Sequence, residues 1–556
     1  MAYKKNRQLL NTLTLATLTV LSFSAVAAQK KFVFKDNSNV MAQNIPAPSE
    51  AELGFLTDKD VVALAENFKA ESKRRPAGTA LVATEDMLSK EYVEFRNKII
   101  KANTGVEFYD ILKSYDAKYD QIPASANDLK FTIARMAAWL PMKGIIWRMT
   151  PMVHQVATTQ QAILATLKNV AEQVKINEPG SHVEAQMLYL SMPTEDLVGK
   201  QFNSESDFIT FLANEVYPGL KKTVQRIEAL KMANIQKSGE ETPIVFDGKI
   251  RFGENAFNGN YDDYDRFKVM GEAERFSALS RIQRRMYNIA TLAAYNWNGH
   301  LALKREIGRM YGIGVAESAL FDALPGDDNV YLKGVSRAQR VAVIKKYKNL
   351  YTLTSSGKSW MALAYYHLHK SGLYLEETWK NIKNNDAHYV AQIDPEVFLA
   401  RKEQVETGIM NIKKLTGPYG AGVNGKTRIN GALSGDELVV DLKGFYENPP
   451  RDLKNLLPTA FSGNEDINVL KKTPQYATIR ELKAGSDVLE VNWSGKKTSF
   501  RNYLNGRATS WNSSAEGYGR LFPNLKSASD VANAMRILNE ARGTRILTNG
   551  LTLFVR

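Results

Sequence analysis

The 556-residue chain contains no cysteine. Disulfides, thiolate nucleophiles and cysteine-ligated metal centres are therefore excluded. Small exported domains need such staples, but a chain of this length can bury enough apolar surface without them. Histidine is scarce, at six residues. No H-E-x-x-H pattern is present, and Asp386 and His388 have no evident third ligand, so no metal site is expected. His367 and His369 look like a chelating pair, but on a helix two such residues point about 200° apart. They are expected near the end of a helix capped by Gly372. Long apolar runs are missing beyond the N-terminus: AWLPMKGIIW is broken by Pro141 and Lys143. Nothing else approaches the about 18 residues of a membrane span, and no transmembrane segment is expected in the mature chain.

The N-terminus MAYKKNRQLLNTLTLATLTVLSFSAVAAQKK does carry a signal. Lys4, Lys5 and Arg7 precede an apolar, Thr-rich stretch and then Ala25-Val26-Ala27-Ala28. This is the pattern of a bacterial secretory signal peptide over residues 1–28, cut after Ala27 or Ala28. An uncleaved anchor is the alternative, disfavoured by Asn11 and the repeated threonines. The expected location is therefore the periplasm or the cell exterior.

The net charge of +14 is unevenly placed. Residues 29–240 hold 26 basic and 26 acidic side chains, so apart from the leader the surplus falls after residue 240. It is concentrated in 274–350, in RFSALSRIQRRMYNIA, LALKREIGRMYG and SRAQRVAVIKKYKNLY. Arg281, Arg284, Arg285, Lys345 and Lys346 are the candidate binding residues. Outside the inner membrane the anionic partners of such a surface are peptidoglycan carboxylates, lipopolysaccharide phosphates, or another envelope protein. Solvated helix faces are the plainer account of the same charges.

Periodicity predicts a mainly α protein: bundle-like helical domains followed by a small α+β region. After an extended linker over 29–56, a helical domain spans 57–238. There Leu88, Tyr92, Phe95 and Ile99 share a face, with Thr84 as the cap. Asn127 or Asp128 caps the next helix, 150–174 has heptad-like spacing, and Pro218 bends or breaks another. Residues 239–270 hold a hairpin centred on Asp247-Gly248 and the loop NGNYDDYD. That loop lacks the glycine and glutamate an EF-hand requires. A second helical domain with basic faces runs over 271–416, Ser336 and Gln339 forming a capping box. Residues 417–556 are a linker and the α+β region, with ASDVANAMRILNEARG helical and a hairpin at Asn549-Gly550.

Three motifs suggest chemistry. Residues 420–427, GAGVNGKT, spell a P-loop, but a P-loop must leave a strand and open a helix. Here a helix ending at Gly417-Pro418 precedes it, and TRINGALSGDELVVDLKG reads as a hairpin around Ser434 and Gly435. No nucleotide or other cofactor is therefore expected. Ser355-Ser356-Gly357-Lys358 resembles the nucleophile motif of penicillin-binding proteins and serine β-lactamases, which implies Ser355 as nucleophile and Lys358 as its activator. Ser462-Gly463-Asn464 and Lys497-Thr498-Ser499 follow in that family's order, but Ser499 stands where the family has glycine. Glu317, in YGIGVAESALFDALPG, is similar to the acid of lytic transglycosylases, without the Gly-Leu-Met-Gln run expected downstream. The leading expectation is an exported non-enzymatic binding or scaffolding protein. The alternatives are a peptidoglycan hydrolase using Glu317 or Ser355, and a carrier of a small apolar ligand in a helical bundle.

Overall fold

The computed structural model describes residues 45–49, 84–145, 148–149, 189, 200–230, 244–247, 267–300, 302–303, 306, 337–383, 426–430, 437–461, 490–493, 496–499, 508–531, 533–534 and 537. These residues are mostly helical, as periodicity predicts. Among them no helix is long and apolar enough to cross a membrane.

Three short helices come first: α1 (Lys90–Ile100), α2 (Gly105–Ala117) and α3 (Asn127–Ala137). Tyr92, Phe95 and Ile99 are buried on the predicted face of α1. The cap is Ser89 rather than Thr84, which instead precedes a 3-10 turn at Glu85–Met87. Ser89 accepts from the Tyr92 N–H and donates its own hydroxyl to Asp128 at 2.6 Å. Asp128 does not cap α3; its carboxylate also takes the Ser89 N–H at 2.7 Å, tying α1 to α3. Pairing across elements satisfies more buried donors than a local cap does.

Next, α4 (Glu205–Phe211) runs through a π turn at Leu212–Val216 into α5 (Tyr217–Ala229). Pro218 therefore neither breaks nor ends the helix. Proline lacks an N–H and crowds the carbonyl four residues back; widening to π geometry accommodates both. Strand β1 (Ile244–Asp247) pairs antiparallel with β2 (Phe267–Met270), Ile244 opposite Met270. The hairpin expected at Asp247-Gly248 is thus corrected: the partner strand lies beyond the NGNYDDYD loop. The Asp247 carboxylate is used in the core, against Arg96.

The centre of the molecule is the pair α6 (Glu272–Ala294) and α8 (Gly357–Lys383), packed along their lengths. Between them in sequence is α7 (Arg337–Lys346). Ser280 and Ser371 donate to each other's carbonyl oxygens across the α6–α8 contact, at 2.8 and 3.0 Å, small side chains permitting the close approach. A Cβ on Gly357 would sit 2.4 Å from the Ala294 carbonyl oxygen, so the start of α8 rests on the end of α6 only with glycine there. Helix α8 continues through Gly372 without a stop. His367 and His369 are therefore not helix-end residues; both are buried mid-helix, on different sides. Packing on both faces of α8 outweighs the weak local preference of one glycine.

Strands β3 (Lys426–Asn430) and β4 (Glu437–Asp441) pair antiparallel, followed by α9 (Leu442–Glu447) packed on α8. Lys426 and Thr427, the last two residues of the P-loop pattern, open a strand, so the helix that would face a phosphate is not there. The chain goes on with β5 (Pro458–Phe461), β6 (Glu490–Trp493), β7 (Lys496–Ser499) and β8 (Ala508–Trp511). β5 pairs with β8 and β6 with β7. The ASDVANAMRILNEARG segment turns helical at Asp530, whose carboxylate takes the Ser527 N–H. One contiguous core links Ile45, Tyr92, Ile227, Leu279, Leu368, Tyr446, Phe522 and Ile537. The 150–174 helix, the NGNYDDYD loop, Ser336, Gly372-distal Asp386 and His388, Ser462–Asn464 and the Asn549-Gly550 hairpin lie outside the described residues.

Candidate functional site

A guanidinium taken from water needs a carboxylate or several carbonyls to offset lost hydration. Four of the enclosed arginines obey this rule. Arg96 reaches Glu85 at 2.6 Å and Asp247 at 3.2 Å. Arg275 holds Glu272 at 2.7 Å and two carbonyls at the end of α5. Arg226 is paired with Asp116 and lies over the Tyr119 ring. Arg148 donates to the Lys200 carbonyl at 2.9 Å, approaches Glu215 at 3.5 Å and covers the rings of Phe202 and Phe211.

Arg284 and Arg285, at the middle of α6, do not. The Nε of Arg284 is buried and has no hydrogen-bond partner; the Nε of Arg96 has none either, but the guanidinium ends of Arg96 reach carboxylates. Among the described residues no carboxylate pairs with either side chain. Both side chains are half-buried, with part of their surface accessible. Arg135 comes to the same place from α3, its guanidinium 5.5 Å from the Phe131 ring centroid. Burial lowers the pKa of Arg135 and of Arg284. Arg285 is pushed down to about 10, first by burial and then by the positive charge of Arg135. A like-charge neighbour inside a protein is an arrangement that an anion would relieve. Planar guanidinium forks suit carboxylate and phosphate oxygens, which accept two parallel N–H bonds.

The same turn of α6 has a second, neutral side. Gln283 Oε1 lies 2.6 Å from His367 Nδ1, and Tyr217 Oη lies 2.7 Å from His367 Nε2. An amide oxygen only accepts, so Nδ1 carries the proton and Nε2 accepts from the tyrosine hydroxyl. Burial, followed by the charges of Lys370 and Lys221, pushes the His367 pKa down to about 3, and the ring is neutral. Trp360 packs edge-on against Tyr217 at 5.7 Å. The π turn before Tyr217 sets the rotation of α5 that aims this hydroxyl at α8.

The other sequence candidates lie elsewhere. Arg281 donates to Ser277 one turn back on its own helix, at 3.0 Å. Lys345 and Lys346 are exposed on α7, Lys346 reaching Glu306 at 3.4 Å. Ser355 precedes α8 and Lys358 is in its first turn; both are exposed, and it is Ser356 between them that is buried. Glu317 lies outside the described residues. So the structure brings Arg284 and Arg285 together with Arg135, and leaves Lys345 and Lys346 on a separate helix. Arg135 was not singled out by sequence. Its signal was present: between Leu129 and Ala171 the chain has five basic side chains and no acidic one. Among the described residues no group of three or more His, Asp or Glu side chains is arranged to hold a metal ion.

No protein-family model matches this chain, and no curated protein or solved structure is similar enough to it to suggest a fold family or an activity.

Proposed function

We propose that this is an exported, non-enzymatic binding protein that holds an anionic group at Arg135, Arg284 and Arg285. The observation that carries the reading is the contrast among arginines: four enclosed guanidiniums have carboxylates, while Arg284 and Arg285 have none among the described residues. The leader-like residues 1–28 support a periplasmic or surface location, where the anions available are peptidoglycan carboxylates and lipopolysaccharide phosphates. The exposed Lys345 and Lys346 supply a separate, salt-screened attraction toward the same material. In this reading the helices form the binding body, and β3 to β8 with α9 form the α+β region that closes the chain.

The test is a titration of the purified mature protein with inorganic phosphate, muropeptides and lipopolysaccharide, followed by thermal unfolding. A rise in Tm with a saturable anion, lost in Arg284→Gln/Arg285→Gln, is expected. A rise that survives both substitutions rejects the site. Muropeptides released from intact sacculi reject the non-enzymatic reading and turn attention to Glu317 and Ser355.

A further inference from the structure

Helix α3 ends at Ala137, and the chain then turns through Leu140–Met142 in 3-10 geometry. The end of a helix leaves carbonyl groups without intrahelical partners. Here they are met inside the protein: the Tyr189 hydroxyl lies 2.6 Å from both the Trp139 and the Leu140 carbonyl oxygens, close enough to donate to either. The N–H groups are used as well, Trp139 donating to the Met136 carbonyl and Met142 to that of Trp139, each at 2.8 Å. Behind the turn, the Pro141 ring rests on α5 at Gly219, 3.4 Å from where a Cβ would stand. Much of the main chain of this turn is thus paired within the protein, yet Met136, Trp139, Leu140 and Met142 are only half-buried.

Helix α2 packs beside the turn and continues its surface. Val106, Tyr109 and Lys113 recur at steps of three and four and so share a helical face. Val106 is 46% exposed, and among the described residues no other large apolar side chain is as accessible. Tyr109 joins α2 to the turn: Lys143 Nζ lies 4.3 Å from its ring centroid and Lys113 Nζ 5.6 Å from it. Two cations therefore flank an apolar tip, and the stretch from Leu129 to Ala171 contains no acidic residue. The acidic residues of α2 nearest this face are turned from it. Glu107 accepts the Asn103 and Thr104 N–H groups, and Asp110 lines a separate cleft with Lys98 and Lys101.

We propose that the turn from Trp139 to Lys143, with the Val106 face of α2, seats the protein on the surface of an anionic phospholipid bilayer. Leu140 and Met142 enter the boundary between headgroups and acyl chains, Trp139 sits at headgroup level, and Lys113 and Lys143 meet lipid phosphates. The composition of the patch selects this partner over another protein. Lysine is depleted from protein–protein interfaces. Tryptophan at headgroup level, and lysine with its stem along apolar surface and its charge outward, are what a bilayer surface recruits. A main chain already paired within the protein fits the same partner, because unsatisfied backbone groups are costly to carry toward lipid. The anion site at Arg284 and Arg285 is not part of this surface, and the two readings fail separately.

The chain has no cysteine, so Leu140→Cys in the full mature protein carries a single nitrobenzoxadiazole label. Vesicles of phosphatidylcholine, with or without an equal part of phosphatidylglycerol, are added to it. The emission is expected to rise at least threefold and shift to the blue with phosphatidylglycerol, and to change little with phosphatidylcholine alone. Adding Lys113→Glu and Lys143→Glu is expected to weaken binding at least tenfold, since each lysine near an anionic surface contributes attraction. No emission change, or an equal change with the two lipids, overturns the proposal. So does binding that is lost in Arg284→Gln/Arg285→Gln but kept in the lysine variant, which assigns the lipid phosphate to the anion site instead. Should Leu140→Cys unfold the chain, Val106→Asp at an exposed position decides by co-sedimentation of unlabelled protein with the same vesicles. It is expected to lower the bound fraction at least threefold, and an unchanged fraction overturns the proposal.

Discussion

Gln283 on one side, and Arg284 and Arg285 on the other, share a single turn of α6, yet they face opposite kinds of interior. On the Gln283 side both histidine nitrogens are matched: Tyr217 donates to His367, which donates to Gln283, and the histidine is held neutral. On the arginine side the Arg284 Nε is unmatched and Arg285 sits beside Arg135. A fold that can build a satisfied three-residue network within one turn has not built one for the neighbouring guanidiniums. In the proposed reading this is the mismatch that an anion would relieve, and like-charge proximity without a carboxylate lowers the stability of the protein.

The comparison breaks most visibly at His367. Replacing it with alanine strands the Tyr217 hydroxyl and the Gln283 amide and opens a cavity, at a cost of about 3–5 kcal/mol in urea unfolding. A loss below about 1 kcal/mol would mean the network is not intact. The pH dependence follows from the same ring. Its folded-state pKa, about 3, lies below its ordinary value of 6.5. As pH falls below 6.5 the unfolded chain takes up a proton that the folded chain refuses, so stability falls with acid. The slope from this group is roughly 1.4 kcal/mol per pH unit, and His367→Gln is expected to remove that part. Unfolding curves of both proteins between pH 7 and pH 5 measure the difference.

Arg285→Met is expected to act in the opposite direction. Removing a half-buried charge that no carboxylate offsets stabilises the protein by about 1–2 kcal/mol while abolishing the Tm rise with phosphate. An arginine with a structural role would destabilise instead, so the sign decides. The smallest effect is expected on α7: Lys345→Glu/Lys346→Glu changes stability by less than about 0.5 kcal/mol because both side chains are exposed. That variant should still weaken low-salt adsorption to anionic sacculi, and unchanged adsorption removes the lysines from the binding surface.

Much of the helical framework was legible. Tyr92, Phe95 and Ile99 recur at helical spacing and are buried together, and the hairpin after the P-loop pattern is present as β3 and β4. The misreadings share a cause. Thr84, Asp128, Gly372 and the Asp247-Gly248 turn were each assigned a local role. Thr84 lost it to Ser89, the nearer cap of α1, and the others to partners distant in sequence: the Ser89–Asp128 tie, the continuous packing of α8, and the pairing of β1 with β2. Local propensities are worth tenths of a kcal/mol to about 1 kcal/mol, and tertiary contacts exceed them. Of the site, Arg284 and Arg285 were visible as charge and named as candidate binding residues of a basic surface, with solvated helix faces as the plainer account. The chain from Arg275 to Arg305 has no acidic residue, which says that these arginines lack helical partners. It does not say whether water or protein surrounds them.

What the sequence determined by itself is compositional and local: a disulfide-free chain, and helices where apolar residues repeat at the helical period. These follow from covalent chemistry, backbone sterics and hydrophobic spacing, which need no distant neighbour. Only the tertiary structure decided which polar groups meet. It joined Tyr217 to His367, set Ser356 and Trp360 beneath residues 45–49, and placed Arg135 beside Arg285. The energy of a charge or a hydrogen bond depends on what lies within a few ångströms, and helix packing, not sequence adjacency, settles that.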